Sequence, residues 1–77
     1  MEKYHTIDCY GLLCPMPIIK IARMIKKIKK GEVLELISTD EGVKEDAPSW
    51  CRTTGNEFLG IKEEQGIFKV YIKKNKD

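Results

Sequence analysis

The sequence predicts an α/β (α+β) two-layer sandwich, ordered βαβαββ, with a mixed four-stranded sheet and two helices on one face. Three observations predict it. Apolar residues alternate with polar ones near the start and the end of the chain, the period of half-buried strands. Between them lies a run of isoleucines at helical spacing. A second helical segment then separates a β-branched run from a closing pair of alternating segments. Each βαβ step implies parallel strands joined by a right-handed crossover, and the last two strands form an antiparallel hairpin. Helices over one face of a sheet whose other face is partly polar make two layers.

The first strand is read over Tyr4–Cys9, where Ile7 and Cys9 alternate with Thr6 and Asp8 and point inward. "YGLL" follows as a loop, with Gly11 permitting the turn. From Pro15 to about Lys29 the period becomes helical. Ile18, Ile21, Ala22, Ile25 and Ile28 form one buried stripe, and Lys20, Arg23, Lys27 and Lys30 form the opposite ridge. "KKGE" ends this helix, with lysines in the last turn and Gly31 just past it. "VLELIST", Val33–Thr39, is a second strand, and Asp40, Glu41 and Gly42 turn the chain. "VKEDAPSWCRTTG" reads as a shorter helix ending at Gly55. Pro48 means that it either starts near Ala47 or is bent there. "NEFLGIKEE" and "GIFKVYIKK" are two strands joined by a tight turn at Gln65 and Gly66. In the last of them Phe68, Val70 and Ile72 face one side, and Lys69, Tyr71 and Lys73 the other.

Seventy-seven residues make one domain, 1–77, that buries about 60% of its unfolded surface. Only the ends are linker-like: Met1–Lys3, and a flexible basic tail over 73–77. Apolar runs are broken everywhere within a few residues, so no membrane insertion is expected. "MEKYHTID" has no apolar stretch of signal-peptide type, and the expectation is a cytoplasmic protein. Three cysteines, at 9, 14 and 51, give an odd count with no CxxC pair. Free thiols in a reducing compartment are the default. A Cys3His zinc site with His5 is conceivable, but the spacing matches no zinc module, and neither a metal nor a cofactor is expected.

Net charge is only +2, but its distribution is uneven. Residues 15–30 hold six basic side chains (Lys20, Arg23, Lys26, Lys27, Lys29, Lys30) and no acid, whereas the rest holds eight basic and twelve acidic ones. The basic ridge is either a docking surface for acidic partner proteins or a solvated helix face.

The chemistry centres on "DCYGLLCPMPII". Pro15 and Pro17 fix a helix start, because the first N–H groups of a helix have no intrahelical partner. Pro15 also pushes Cys14 into an extended, N-cap-like conformation. The Cys14 sulfur then sits at the positive end of the helix dipole, with the six cations nearby, a setting that lowers a thiol pKa. With so few N–H donors left in that turn, the lowering should be moderate. A cysteine hydrolase needs an oriented base, and the only histidine, His5, has no route to this sulfur. A dithiol oxidoreductase needs a resolving cysteine, yet Cys9 points inward and Cys51 belongs to another helix. Cys14 is thus either an inert free cysteine or a nucleophile that carries a group and relies on a partner. Cys51 reads as a partly buried thiol beside Trp50, the alternative being a secondary sulfur-handling thiol. Asp8 reads as a loop-ordering acceptor.

The pattern Asp8-x-x-Gly11-x-x-Cys14-Pro15-x-Pro17 resembles the signature of the TusA/SirA-type sulfur-carrier family. "KKGEVLELISTD" and "DAPSWCRTTGNEFL" resemble that family's second strand and second helix, so the likeness covers nearly the whole chain. It implies that Cys14 takes sulfane sulfur as a persulfide from a cysteine desulfurase or rhodanese-type donor and hands it to an acceptor protein. It also implies that Asp8, Gly11, Pro15 and Pro17 support the helix start. Pathways used by such relays include tRNA thiolation, sulfur oxidation, selenium metabolism and association with sulfur-compound transporters. Whether such a chain counts as a sulfurtransferase enzyme by itself stays open, since its activity would depend on partner proteins. Two alternatives remain. One is a nucleic-acid module built on the basic helix, although 8% aromatic content and no stacking motif argue against direct nucleic-acid contact. The other is a self-sufficient thiosulfate-processing enzyme using the same cysteine.

Overall fold

A computed structural model describes residues 4–11 and 16–75. The order is β1 (Tyr4–Cys9), α1 (Met16–Ile25), β2 (Val33–Ser38), α2 (Val43–Thr54), β3 (Glu57–Glu64) and β4 (Ile67–Lys73), the βαβαββ order that the periodicities predict. The four strands form one mixed sheet in the spatial order β1-β2-β4-β3. β1 and β2 are parallel, with Tyr4 opposite Val33 and Cys9 opposite Ser38. β4 pairs antiparallel with both β2 and β3. β3 therefore runs in the same direction as β2, as the second βαβ step requires, but β4 lies between them.

Alternation along the strands decides which face is covered. Ile7 stands opposite Leu36, and Leu36 opposite Val70. This row, together with Cys9, Leu34, Phe68 and Ile72, forms the buried face. Ile21, Ile25 and Ile28 descend on it from the first helical segment, and Val43, Ala47 and Cys51 from α2 at a spacing of four. Burying each such large side chain contributes about 1.5–3 kcal/mol. Both helices lie on this face. The other face keeps the polar row Thr6, Glu35 and Tyr71, in which the Tyr71 hydroxyl and the Thr6 hydroxyl both donate to the Glu35 carboxylate (2.8 and 3.2 Å).

The end of α1 differs from expectation. The isoleucine stripe extends α1 to Lys29, but α1 ends at Ile25 while Ile28 remains buried. The cause is tertiary. Lys74 continues the β2–β4 pairing: its N–H donates to the Glu32 carbonyl (3.0 Å), and Gly31 N–H donates to the Lys74 carbonyl (2.8 Å). The chain must leave the helix to reach that position. The buried Lys74 Nζ donates to the Ile28 carbonyl (2.7 Å), and Glu32 accepts the Lys29 N–H (2.6 Å), so the unwound turn keeps its polar groups satisfied. Of the basic tail read over 73–77, Lys73 closes β4, Lys74 is buried, and Asn75 N–H donates to the Asn56 side chain (3.1 Å). The remainder of that tail lies outside the described residues.

At Pro48 the sequence leaves two readings, a start near Ala47 or a bend within the longer segment, and the structure has the longer helix. α2 starts at Val43, not near Ala47, and takes Pro48 into its interior. A proline there removes one intrahelical bond and costs about 3 kcal/mol. The first turn is nevertheless held from three sides. Asp40 Oδ1 accepts the Gly42 N–H (3.1 Å), Val43 is buried, and Glu45 and Asp46 meet the positive end of the dipole. The helix ends as predicted at Gly55, whose φ of 81° places it in the left-handed region and whose N–H donates to the Cys51 carbonyl (2.8 Å). The turn between β3 and β4 falls on Gln65 and Gly66 with φ of 48° and 78°, a two-residue hairpin loop of the I′ kind. No helix among the described residues is long and apolar enough to cross a membrane.

Candidate functional site

Cys14 and Pro15 lie outside the described residues, so the site is built from the chain on both sides of them. On the upstream side, β1 delivers the chain to Asp8. Its Oδ1 accepts the Tyr10 N–H (2.9 Å), an Asx turn that bends the backbone directly after the strand. Gly11 follows with φ of 78°, and its N–H donates to the Thr39 hydroxyl (3.1 Å). Asp8 and Gly11 thus order the chain directly after β1. Thr39 does not stand out in the sequence. It lies 28 residues from Gly11, and only the parallel pairing that sets Cys9 against Ser38 brings the two loops together.

On the downstream side α1 starts at Met16, and Pro17 is buried in its first turn. A narrow cleft lined by Pro17, Ile18, Asp40, Val43 and Asp46 joins the first turns of α1 and α2. Three large apolar side chains are exposed close to this segment: Tyr10 (66%), Met16 (39%) and Ile19 (36%). All three are within five residues of Cys14 in the chain, and Leu59 in β3 is the other exposed large apolar side chain among the described residues.

The basic ridge divides. Lys20, Arg23 and Lys27 line a shallow groove against Thr6, Ile7 and Asp8 of β1, whereas Lys30 lies past the end of α1. At about 1.5 Å per residue, Lys20 stands about 6 Å and Arg23 about 10 Å along α1 from its start, Arg23 thus near the Debye length of about 8–10 Å at ordinary salt. Lys20 acts to lower the pKa of Cys9 at the end of β1, although burial outweighs it, and Asp8 adds to the raising.

The two described cysteines belong to the core. Cys9 is fully buried and its pKa is raised, chiefly by burial. Cys51 is 2% exposed, and burial pushes its thiol up to about 11. Neither presents a thiolate to solvent at neutral pH. Trp50 packs partly buried against the same core. His5 points to Glu32, with Nε2 3.2 Å from Oε1. Among the described residues no group of histidine, cysteine and carboxylate side chains is arranged to hold a metal ion.

Both the sequence and the fold are similar to those of known proteins. The family described as sulfurtransferase TusA matches residues 5–74. The putative sulfur carrier protein YrkF of Bacillus subtilis is 43% identical over 74 residues, which cover 96% of this chain but 40% of that relative. A putative sulfur carrier protein of Aquifex aeolicus is 41% identical, with 38% of its length covered. The chain thus spans about two fifths of the length of these two relatives. The sulfur carrier protein TusA of Pseudomonas entomophila is 36% identical over 94% of this chain and 90% of its own. Among solved structures, a SirA-like protein from Desulfitobacterium hafniense superposes with a TM-score of 0.81 over 96% of this chain and all of the other, at 19% identity, and so supports the fold. With the family matched over nearly its whole length, this chain belongs to the sulfurtransferase TusA family.

Proposed function

We propose that this chain is a sulfur carrier that accepts sulfane sulfur on Cys14 and passes it to an acceptor protein. The Cys14 thiolate attacks the terminal sulfur of a donor persulfide. A Cys14 S–S bond forms, the donor S–S bond breaks, and the donor leaves as a thiolate. In the second step an acceptor thiolate attacks the same terminal sulfur and releases Cys14, so the cycle has no net redox change. The donor is a cysteine desulfurase or a rhodanese-type protein, and the acceptor a sulfur-relay protein of the kind that serves tRNA thiolation. Free, buried Cys9 and Cys51 fit a reducing, cytoplasmic setting.

The observation that carries this reading is the frame around the Cys14 segment. One side is pinned by Asp8 and Thr39, the other begins a helix on a buried proline, and Tyr10, Met16 and Ile19 offer an apolar collar for a protein partner. Incubation with a cysteine desulfurase and cysteine, followed by intact-mass spectrometry, should show the mass of one added sulfur. Cys14→Ser should abolish the adduct and Cys51→Ser should keep it. An adduct that survives Cys14→Ser would refute the assignment.

A further inference from the structure

β1 is an edge strand: in the order β1-β2-β4-β3 it pairs on one side alone among the described residues. Proteins normally blunt such an edge with bulges, prolines, charged side chains or a covering element, because a row of unpaired backbone groups invites another strand. In its own sequence β1 carries one acid, Asp8, and neither a bulge nor a proline. Its register with β2 is unbroken over Tyr4–Cys9, and its sequence, "YHTIDC", holds no glycine, proline or lysine. Beside this edge runs the groove in which Thr6, Ile7 and Asp8 face Lys20, Arg23 and Lys27. The His5–Glu32 contact and the Lys44–Glu63 ion pair use none of these three cations. The one acid in the groove, Asp8, turns an oxygen to the Tyr10 N–H. The groove is therefore cationic. Its Asp8–Lys20 end is also the end nearest, along the chain, to Gly11 and Met16, which bracket the Cys14 segment.

We propose that β1 is the docking edge for an extended acidic segment of a partner protein, which adds to the sheet as a fifth strand. Its backbone pairs with the free edge of β1, its carboxylates meet Lys20, Arg23 and Lys27, and the strand so added runs alongside the end of β1 where Asp8 and Gly11 order the chain. Main-chain pairing supplies affinity in strand addition, and the side chains supply selectivity. Here the selectivity is for negative charge. This inference rests on the carrier reading of Cys14.

Disulfide tethering tests it. The probes are decapeptides alternating glutamate and valine, with a cysteine at either end held as a mixed disulfide with 2-mercaptoethanol. Attack by Cys14 forms the tether and expels 2-mercaptoethanol as its thiolate, and the high effective concentration makes weak pairing readable. Control peptides carry lysine in place of glutamate, or N-methyl groups on every second amide in either phase. Mass spectrometry gives the fraction tethered at Cys14. The acidic peptide should tether at least about tenfold more favourably than the lysine peptide. N-methylation should abolish the gain in one phase and spare it in the other, since alternate amides of an added strand face away. The triple variant Lys20→Glu, Arg23→Glu, Lys27→Glu should reverse the charge preference. In the tethered species the amide resonances of Thr6, Ile7 and Asp8 should move and those of β3 should not. Equal tethering of all peptides would overturn the docking edge while leaving Cys14 as the reactive thiol. Failure of even free 2-mercaptoethanol disulfide to exchange at Cys14 would overturn both readings. A dimer of the free chain that protects the β1 amides would assign the edge to a second copy and overturn the proposal as well.

Discussion

The two edges of the sheet are built on opposite plans. β3 is irregular. Its register with β4 shifts between Phe58 and Gly60, Gly60 has a φ of 150°, and Glu57, Lys62, Glu63 and Glu64 are exposed along it. Lys44 of α2 reaches over to Glu63 at 3.0 Å. These features protect an edge against unwanted pairing. β1 is regular, carries one acid, Asp8, and no lysine or arginine, and leads into Tyr10 and Gly11, which two hydrogen bonds hold in place. The difference teaches that one edge is closed and the other is kept available, and the available one is the edge that feeds the Cys14 segment. Availability needs firmness, because a fraying strand would carry its loop away with it.

Firmness is the point at which the comparison is easiest to break. Ile7 is buried in β1, while Ile61, in the same sheet row of β3, is half-buried. Ile7→Ala should lower the unfolding free energy by about 3 kcal/mol, and Ile61→Ala by about half as much. Urea denaturation measures both. Equal losses would mean that β1 is no better anchored than β3.

The buried thiols repeat the contrast with a smaller effect. The folded pKa of Cys51 is raised from 9.0 to about 11. A raised pKa stabilises the fold below pH 9, and that stability is lost as pH rises through 11, because the unfolded chain deprotonates first. The loss should be about 2–3 kcal/mol between these pH values. Cys9, at the end of β1, is raised against the opposing field of Lys20. Chemical denaturation from pH 8 to 11 should show the alkaline loss largely removed in Cys51→Ala and less affected in Cys9→Ala.

Next come the loop anchors. Thr39→Val deprives the Gly11 N–H of its acceptor and should cost about 1 kcal/mol. It should also slow sulfur loading of Cys14 about tenfold through lost positioning, and Thr39→Ser should restore the rate. At the other edge, Asn56→Ala removes the acceptor of the Asn75 N–H and should cost a similar amount of stability with no change in loading rate. A stopped-flow comparison of the three variants separates positioning from stability. The smallest effect is expected at Lys44. Its pKa is raised by its hydrogen bond to Glu63, but the pair is exposed and screened. Lys44→Ala should leave the denaturation midpoint nearly unchanged and should not create a second docking edge.

Much of this fold is legible in the sequence because its signals are local. The alternation at Ile7 and Cys9 marks β1 to its observed ends, and Gln65-Gly66 marks the hairpin, since few residue pairs accept two positive φ values. The end of α1 is not legible. Ile28 keeps helical spacing because it is buried, yet Lys74, 46 residues away, decides that its carbonyl bonds outside a helix. Pro48 leaves the start of α2 open for a related reason: the burial of Val43 that holds the first turn is tertiary. The Cys14 segment announces itself through its prolines, whereas Thr39 is an unremarkable residue at the end of a strand. The groove also depends on strand order, which chain order alone does not give, because βαβαββ does not state that β4 separates β2 from β3 and leaves β1 outermost.

The seclusion of Lys74 has a practical consequence for anyone labelling this molecule through its amines. Its ammonium is spent on the Ile28 carbonyl and shielded from solvent, so succinimidyl esters that decorate the surface lysines should pass it by. A dye count that begins to include Lys74 would report the unclasping of Lys74 from the turn that follows α1 before any loss of the sheet itself.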